Sequence, residues 1–289
     1  THLDSFEIIK VLGKGSMGKV MLVREKSSGK LFALKSIHKN WVVKHREIEH
    51  TISERNILVK IREMNHPFLM KLHQSFQTDT ELFLVIDYYP GGDLATQLAR
   101  FYKFDEERAR FYAAEMILGI KELHRNGVVY RDLKPENVLL ANTGHLVLTD
   151  FGLSKMFRDE SKTTTFCGTA EYLAPEILTS LAYDYKVDLW SFGTLLYEML
   201  VGITPFWADN QSVMYQRVLS ANLEFPEDIS QDAKDLISKL LVRGAHNRLD
   251  CDGVQNHPFF KDVNWDDVYS LKLKPPYVPS IKNECDLSN

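Results

Sequence analysis

The sequence predicts an α+β chain in two unequal lobes: a small β-rich N-lobe with one key helix, then a larger α-helical C-lobe. Three observations carry this. The first third consists of short runs rich in β-branched and aromatic residues, broken by glycine-bearing turns. Pro90-Gly91-Gly92 interrupts that pattern, and helical periodicity dominates the rest of the chain. Leu189 to Trp207 is apolar on nearly all sides, as expected of a helix on the axis of a large core. The expected division is an N-lobe over 6–87, a hinge over 88–92, a C-lobe over 93–260 and a tail over 261–289.

Taken in order, Phe6 to Leu12, Lys19 to Arg24 and Leu31 to Ile37 read as strands, with Ser27-Ser28-Gly29-Lys30 turning the second into the third. His45 to Lys60 spaces Ile48, Ile52, Arg55, Leu58 and Val59 as an amphipathic helix. Leu69 to Phe76 and Leu82 to Asp87 read as two further strands. Beyond the hinge, Asp105 is placed to cap a helix, with Glu106 and Glu107 in its first turn. Ala109, Tyr112, Ala113, Met116, Ile120 and Leu123 form its apolar stripe, and Gly127 stops it. A later helix starts at Ser230 and carries Leu236, Ile237, Leu240 and Leu241.

Bulk properties exclude several classes. The chain has 289 residues, 44% hydrophobic and 26% charged, sufficient to bury a substantial core. A net charge of −4 argues against a broad nucleic-acid footprint. The 3 cysteines, Cys167, Cys251 and Cys285, lack framework or metal-ligand spacing, which suits a reducing cytoplasmic setting. Thr1 to Phe6 shows no basic start or apolar run, so no signal peptide is expected there. Glu198, Gly193, Gly202 and Pro205 interrupt the most apolar stretch, so no membrane span is expected.

Gly13-Lys14-Gly15-Ser16-Met17-Gly18-Lys19-Val20 is a G-x-G-x-x-G-x-V loop whose glycines let backbone N–H groups approach phosphate oxygens. Alone it is as readily a plain turn, and a dinucleotide-binding fold offers the same spacing. Strands on both sides disfavour that second reading. Lys35 ends the apolar Phe32-Ala33-Leu34 segment, where a solvated surface lysine is the ordinary reading. Facing the glycine loop instead, it would need a counter-ion, and Glu54 on the following helix lies at a suitable distance along the chain.

The decisive block is Tyr130-Arg131-Asp132-Leu133-Lys134-Pro135-Glu136-Asn137, followed by Asp150-Phe151-Gly152 and Ala174-Pro175-Glu176. Phosphoryl transfer asks for metal ions on the phosphates, a positioned nucleophile and neutralised charge. Asp150 and Asn137 offer the hard oxygens that Mg²⁺ prefers. Asp132 can orient a hydroxyl and accept its proton, and Lys134 can sit against the transferring group. Singly, each would be a solvated loop residue; in this order and spacing, chance is a poor explanation.

From about Phe6 to Pro279 the chain resembles the eukaryotic protein kinases, which share this set of motifs. The resemblance implies a bilobal protein-kinase-like fold and an ATP- and Mg²⁺-dependent, non-specific protein serine/threonine kinase. It implies that Gly13, Gly15 and Gly18 cover the phosphates, and that Lys35 holds them while paired with Glu54. Asp132 is then the catalytic base, assisted by Lys134, with Asn137 and Asp150 on the metal. Leu12, Val20, Ala33 and Leu139 would enclose adenine beside the gatekeeper Ile86, with Asp87 and Tyr89 offering hinge backbone groups and Asp93 at the cavity rim. Glu176 would bridge to Arg248, and Leu58, Leu72, Tyr130 and Phe151 would stack as the regulatory spine.

Tyr130-Arg131-Asp132, Thr165-Phe166-Cys167-Gly168-Thr169, His66-Pro67-Phe68 and His257-Pro258-Phe259-Phe260 to Trp265 are similar to the AGC kinases. Val147 to Lys155 and Ser53 to Asn56 are most similar to their serum/glucocorticoid-regulated and protein kinase B (Akt) branches. Ala170 departs from the proline usual in the group. The likeness implies that an upstream kinase phosphorylates Thr165, with His50, Arg131 and Lys155 ordering the phosphate. The segment Ser161 to Phe166 is too polar to order itself without that charge. Thr169 would bond Asp132 and Lys134 and favour serine or threonine acceptors. Asp93 and Glu136 would select an arginine three residues before the acceptor, whereas Gln216 stands where stricter relatives carry an acid.

Pro275 to Pro279 resembles the start of an AGC tail, and the chain stops at Ser288-Asn289 before that tail's later motifs. The expectation is a monomeric catalytic-domain fragment with protein substrates and no nucleic-acid partner. It is expected in the cytoplasm, with the nucleus or a membrane reached through a domain outside this chain. A pseudokinase acting as a nucleotide-binding docking module is the alternative, separated by a single-turnover transfer assay.

Overall fold

The structure, a computed structural model, describes residues 2–157, 162–286 and 288. Strands β1 (Phe6–Lys14), β2 (Gly18–Glu25), β3 (Leu31–His38), β4 (Leu72–Gln77) and β5 (Glu81–Asp87) form one sheet in the order β1-β2-β3-β5-β4. All of its pairings are antiparallel, and short glycine-bearing turns join β1 to β2 and β2 to β3. Phe6, Met21, Val23, Phe32, Leu34, Phe83 and Val85 make a small separate core on one side of it.

Between β3 and β4 run α1 (Lys39–Lys44) and α2 (Ile48–Met64). The helix expected from His45 begins at Ile48 and continues past Lys60 until Asn65 stops it in the left-handed region at φ 49°. It buries Thr51, Glu54, Ile57, Leu58 and Ile61, a single face at helical spacing. Of the stripe expected from the sequence only Leu58 lies on it, and Ile48, Ile52 and Arg55 are exposed, because the face that packs is the one carrying Glu54 toward Lys35. The strand expected from Leu69 begins only at Leu72. Leu69 bridges to Leu148 in the other lobe, and Met70 N donates to Leu148 O at 3.0 Å, so this pair joins the lobes instead.

The C-lobe opens with α3 (Leu94–Phe101) and α4 (Glu106–Arg125), followed by short strands β6 (Val128–Val129), β7 (Val138–Leu140), β8 (Leu146–Leu148) and β9 (Lys155–Met156). Strands β6 and β9 pair, as do β7 and β8. Helices α5 (Pro175–Leu178), α6 (Lys186–Val201), α7 (Gln211–Ser220), α8 (Gln231–Leu240), α9 (Cys251–Gln255) and α10 (Trp265–Tyr269) complete the lobe. Asp105 and Ser230 cap α4 and α8 by accepting from Arg108 N and Ala233 N.

Helix α6 is buried along almost its whole length and ends at Gly202, φ 93°, short of Trp207. Among the described residues, no helix is long and apolar enough to cross a membrane. The first turn of α6 holds the fully buried Asp188, whose carboxylate accepts from Tyr130 N and Arg131 N, both at 2.8 Å. His124 Nε2 lies 2.7 Å from the same carboxylate. The core helix thereby fixes the loop carrying the decisive sequence block.

Candidate active site

A cavity of about 570 Å³ separates the lobes. Leu12, Val20, Ala33, Ile86 and Leu139 supply its apolar walls, while Lys35, Glu54, Asp87, Tyr89, Asp93 and Asp150 also line it. Cavities of this size between lobes are ordinary small-ligand sites. The glycine turn lies next to it, where Gly13, Gly15, Gly18, Val20 and Lys35 surround a neighbouring hollow. A Cβ on Gly18 would stand 1.9 Å from the Ser36 carbonyl, so packing against β3 forces that glycine. A Cβ on Gly13 or Gly15 would meet nothing, so the protein's own packing does not demand them. Close approach by a ligand supplies a reason for both.

Lys35 Nζ stands 2.7 Å from Glu54 Oε1, which joins β3 to α2. Burial alone would push the Lys35 pKa down. The charge and hydrogen bond of Glu54, with Asp150 behind them, outweigh this and hold it above the ordinary lysine value. Lys35 is thus a fixed cation at the cavity wall.

Below it, Asn137 closes a short 3₁₀ turn over Pro135–Asn137. Both hydrogens of its amide go to Asp132, reaching the carbonyl at 2.8 Å and Oδ2 at 3.1 Å. Asn137 Oδ1 is then the oxygen a cation would meet. Thr169 donates to Asp132 Oδ1 at 3.1 Å and accepts from Lys134 Nζ at 2.9 Å, while Lys134 Nζ is 3.7 Å from Asp132 Oδ1. Burial raises the Asp132 pKa, and the Asp150 charge adds to this against the opposing pull of Lys134, Thr169 and Asn137. Asp150, exposed at φ 60°, accepts only weakly from Gly152 N at 3.2 Å. Tyr130 and Phe151 pack at 5.4 Å between ring centroids, in one core with Leu58 and Leu72.

The hinge side chains face one another: Tyr89 donates to Asp87 Oδ2 at 2.9 Å, and His73 pairs with Asp87 Oδ1. Asp93 caps α3, its Oδ1 accepting from Thr96 N at 2.7 Å. Glu136 is exposed, and Gln216 lies exposed on α7. One acid outside the cavity lining acquires its character only in the fold. Glu198 of α6 accepts from the Tyr172 hydroxyl, and burial, then the charges of Glu136 and Glu171, push its pKa up to about 7. The signal existed, because Glu198 is the carboxylate that interrupts the most apolar stretch.

Thr165 is exposed, and its hydroxyl lies 3.3 Å from Thr163 Oγ1. Lys155 Nζ donates to that same Thr163 oxygen at 2.9 Å. Arg131 Nη1 donates to the Tyr183 hydroxyl at 3.2 Å, and that hydroxyl donates to Thr165 O at 2.6 Å. Arg131 and Lys155 therefore sit one group away from Thr165. His50, expected beside them, is exposed and pairs with Glu47 one turn away at 2.5 Å. Ser161 lies outside the described residues. Farther off, Arg248 grips Glu176 with two nitrogens at 2.7 and 3.1 Å, a buried bidentate pair.

The family model described as "Protein kinase domain" matches residues 6–260. The chain is 48% identical over 286 residues to a RAC family serine/threonine-protein kinase homolog of Dictyostelium discoideum, covering 98% of this chain and 64% of the relative. It is 47% identical over 289 residues to the serine/threonine-protein kinase Sgk1 of Danio rerio, covering 98% and 66%. It is 45% identical over 291 residues to the serine/threonine-protein kinase gad8 of Schizosaccharomyces pombe, covering 99% and 51%. The chain thus spans about half to two thirds of the length of these relatives.

Proposed function

The chain belongs to the protein kinase family, in its AGC group, and from that premise we propose that it moves the γ-phosphate of ATP onto serine or threonine of basic protein substrates. One observation supports this most: Lys35–Glu54 and Asp150 line the inter-lobe cavity, and the charge of Asp150 reaches Asp132 in the Asp132–Asn137–Thr169–Lys134 network. The groups fit ATP with Mg²⁺: an apolar slot, open space at Gly13 and Gly15, a fixed cation, and oxygens on Asp150 and Asn137 suited to the metal. Bound Mg²⁺ would neutralise charge on the phosphate oxygens.

Lys35 holds the non-transferred phosphates, with Glu54 fixing its position. Asp132 accepts the proton of the acceptor hydroxyl as its oxygen bonds the γ-phosphorus and the bond to the β–γ bridging oxygen breaks. Lys134 compensates charge on the transferring group, and Thr169 orients both. The test is γ-phosphate transfer to an arginine-containing peptide library by the wild type, Asp132→Asn and Asp150→Asn. Loss of the general base is expected to lower turnover by about 10²- to 10⁴-fold. An Asp132→Asn variant as fast as the wild type sinks the proposal. A docking module without turnover has no observation in its favour, since each group that catalysis asks for is present.

Two finer readings belong to the same proposal. Phosphorylation of Thr165 by an upstream kinase would place about −1.5 to −2 charge within reach of Arg131 and Lys155. Equal turnover by Thr165→Ala and the phosphorylated form rejects that reading. Asp93 and Glu136 would favour an arginine three residues before the acceptor, with a weaker demand one residue closer because Gln216 is uncharged. A peptide array that tolerates replacement of the distal arginine rejects this one.

A further inference from the structure

Tyr183 lies on the connection between α5 and α6 and is buried, with 3% exposure. Its backbone bridges Thr163 in both directions, N to O at 2.9 and 2.8 Å. Its hydroxyl donates to Thr165 O at 2.6 Å, accepts from Arg131 Nη1 at 3.2 Å, and lies 3.9 Å from the Cys167 thiol. Arg131 is itself held in the left-handed region at φ 68°, and its Nε donates to Leu153 O at 2.6 Å, just past Asp150-Phe151-Gly152. A single phenol oxygen thus ties the loop of Asp132, the segment of Thr165 and the approach to α6. The proposed phosphoryl transfer makes no use of it.

We propose that Tyr183 is a positioning residue that stands in for the Thr165 phosphate, holding Arg131 and the Thr165 backbone ready for peptide while Thr165 is unmodified. The inference rests on the reading of Thr165 as a phosphorylation site. Without phosphate, Arg131 rests on the neutral oxygen of Tyr183 and Lys155 on that of Thr163. A phosphate brings about −1.5 to −2 charge and three strong acceptor oxygens that a neutral hydroxyl lacks, so a phosphate on Thr165 would draw both cations away. The Tyr183 hydroxyl then matters before phosphorylation and ceases to matter after it.

The experiment compares wild type and Tyr183→Phe, each with Thr165 phosphorylated or not as assigned by intact mass. It reads kcat and KM for peptide and for ATP, and hydrogen exchange over residues 162–168. In the unphosphorylated pair, Tyr183→Phe is expected to raise peptide KM by about tenfold, the worth of roughly one hydrogen bond. The ATP KM stays unchanged, and exchange over the segment quickens. In the phosphorylated pair the two proteins match. An equal loss in both forms, or no loss in the unphosphorylated form, overturns the inference. Equal activity of the two wild-type forms strikes instead at the Thr165 reading, and the exchange contrast then decides for Tyr183 alone. If Tyr183→Phe fails to fold, unphosphorylated Arg131→Met must raise peptide KM alike, and an unchanged KM overturns the proposal.

Discussion

Asp132, and Glu198 on the core helix α6, are buried enough to titrate above their usual range, each with a consequence that can be measured. Burial lifts Asp132, whereas the hydrogen bond from Thr169 favours its ionised form. Removing that donor raises the pKa further. Thr169→Val should therefore move the acid limb of the kcat/KM profile to higher pH, and Thr169→Ser should leave it in place. A limb that stays put in Thr169→Val would separate Thr169 from Asp132. Glu198 has the clearer stability signature, with a folded pKa of about 7 against an ordinary value of 4.5. The folded chain binds this proton more tightly than the unfolded chain, so its contribution to stability declines as pH rises from 4.5 to about 7 and is level above. Glu198→Gln keeps an acceptor for Tyr172 and removes the charge. It should unfold at higher denaturant than wild type at pH 8, by up to about 3 kcal/mol, and show no gain near pH 4.5. Parallel behaviour at both pH values would rule this out.

At the scale of elements, Asp93 caps α3 and is proposed to attract a basic substrate residue, and the two roles can be pulled apart. Asparagine caps a helix about as well as aspartate but carries no charge. Asp93→Asn should therefore retain the wild-type unfolding midpoint while losing preference for the distal arginine. Asp93→Ala should lose both, with about 1 kcal/mol of stability gone. If Asp93→Asn keeps the arginine preference, Asp93 is only a cap. The caps at Asp105 and Ser230 and the strands around the glycine turn were legible in the sequence, because local chemistry decides them, whereas α2 turns inward a face other than the one Ile48, Ile52 and Arg55 suggested. Helix α1 was not legible, since it is six residues long and buries only Val42. The start of β4 was misplaced because Leu69 and Met70 spend their pairing on Leu148 in the other lobe, a partner that periodicity cannot reveal. His50 is a different case, because its ring turns to Glu47, a partner only three residues away. The acids, amide and lysines of the site were legible as a motif set, but Glu198 needed the fold to bring it to Glu136 and Glu171.

For the whole molecule, the cavity is shared property: β3 and α2 supply Lys35 and Glu54 from above, and the loop after β8 supplies Asp150 from below. Leu69 and Met70 reach from the N-lobe to Leu148, and Phe151 packs on Tyr130 in the core that also holds Leu58 and Leu72. A ligand in that cavity touches both lobes, so its binding energy must appear as resistance of the entire chain to unfolding. At one hundred times its dissociation constant a ligand of the folded state adds about 2.7 kcal/mol. Part of that gain should depend on the metal, because Asp150 presents a carboxylate in the cavity where Lys35 presents a cation, and Asn137 is proposed to add its oxygen to the metal. The unfolding midpoint with ATP analogue and Mg²⁺ is expected to exceed that with the analogue and a chelator. Asp150→Asn weakens the oxygen set without touching the apolar slot, so it should bring the two midpoints together while leaving the chelator value near wild type. Were the chelator to leave the wild-type shift unchanged, the carboxylate of Asp150 would have to be assigned another task, whatever the transfer assay showed.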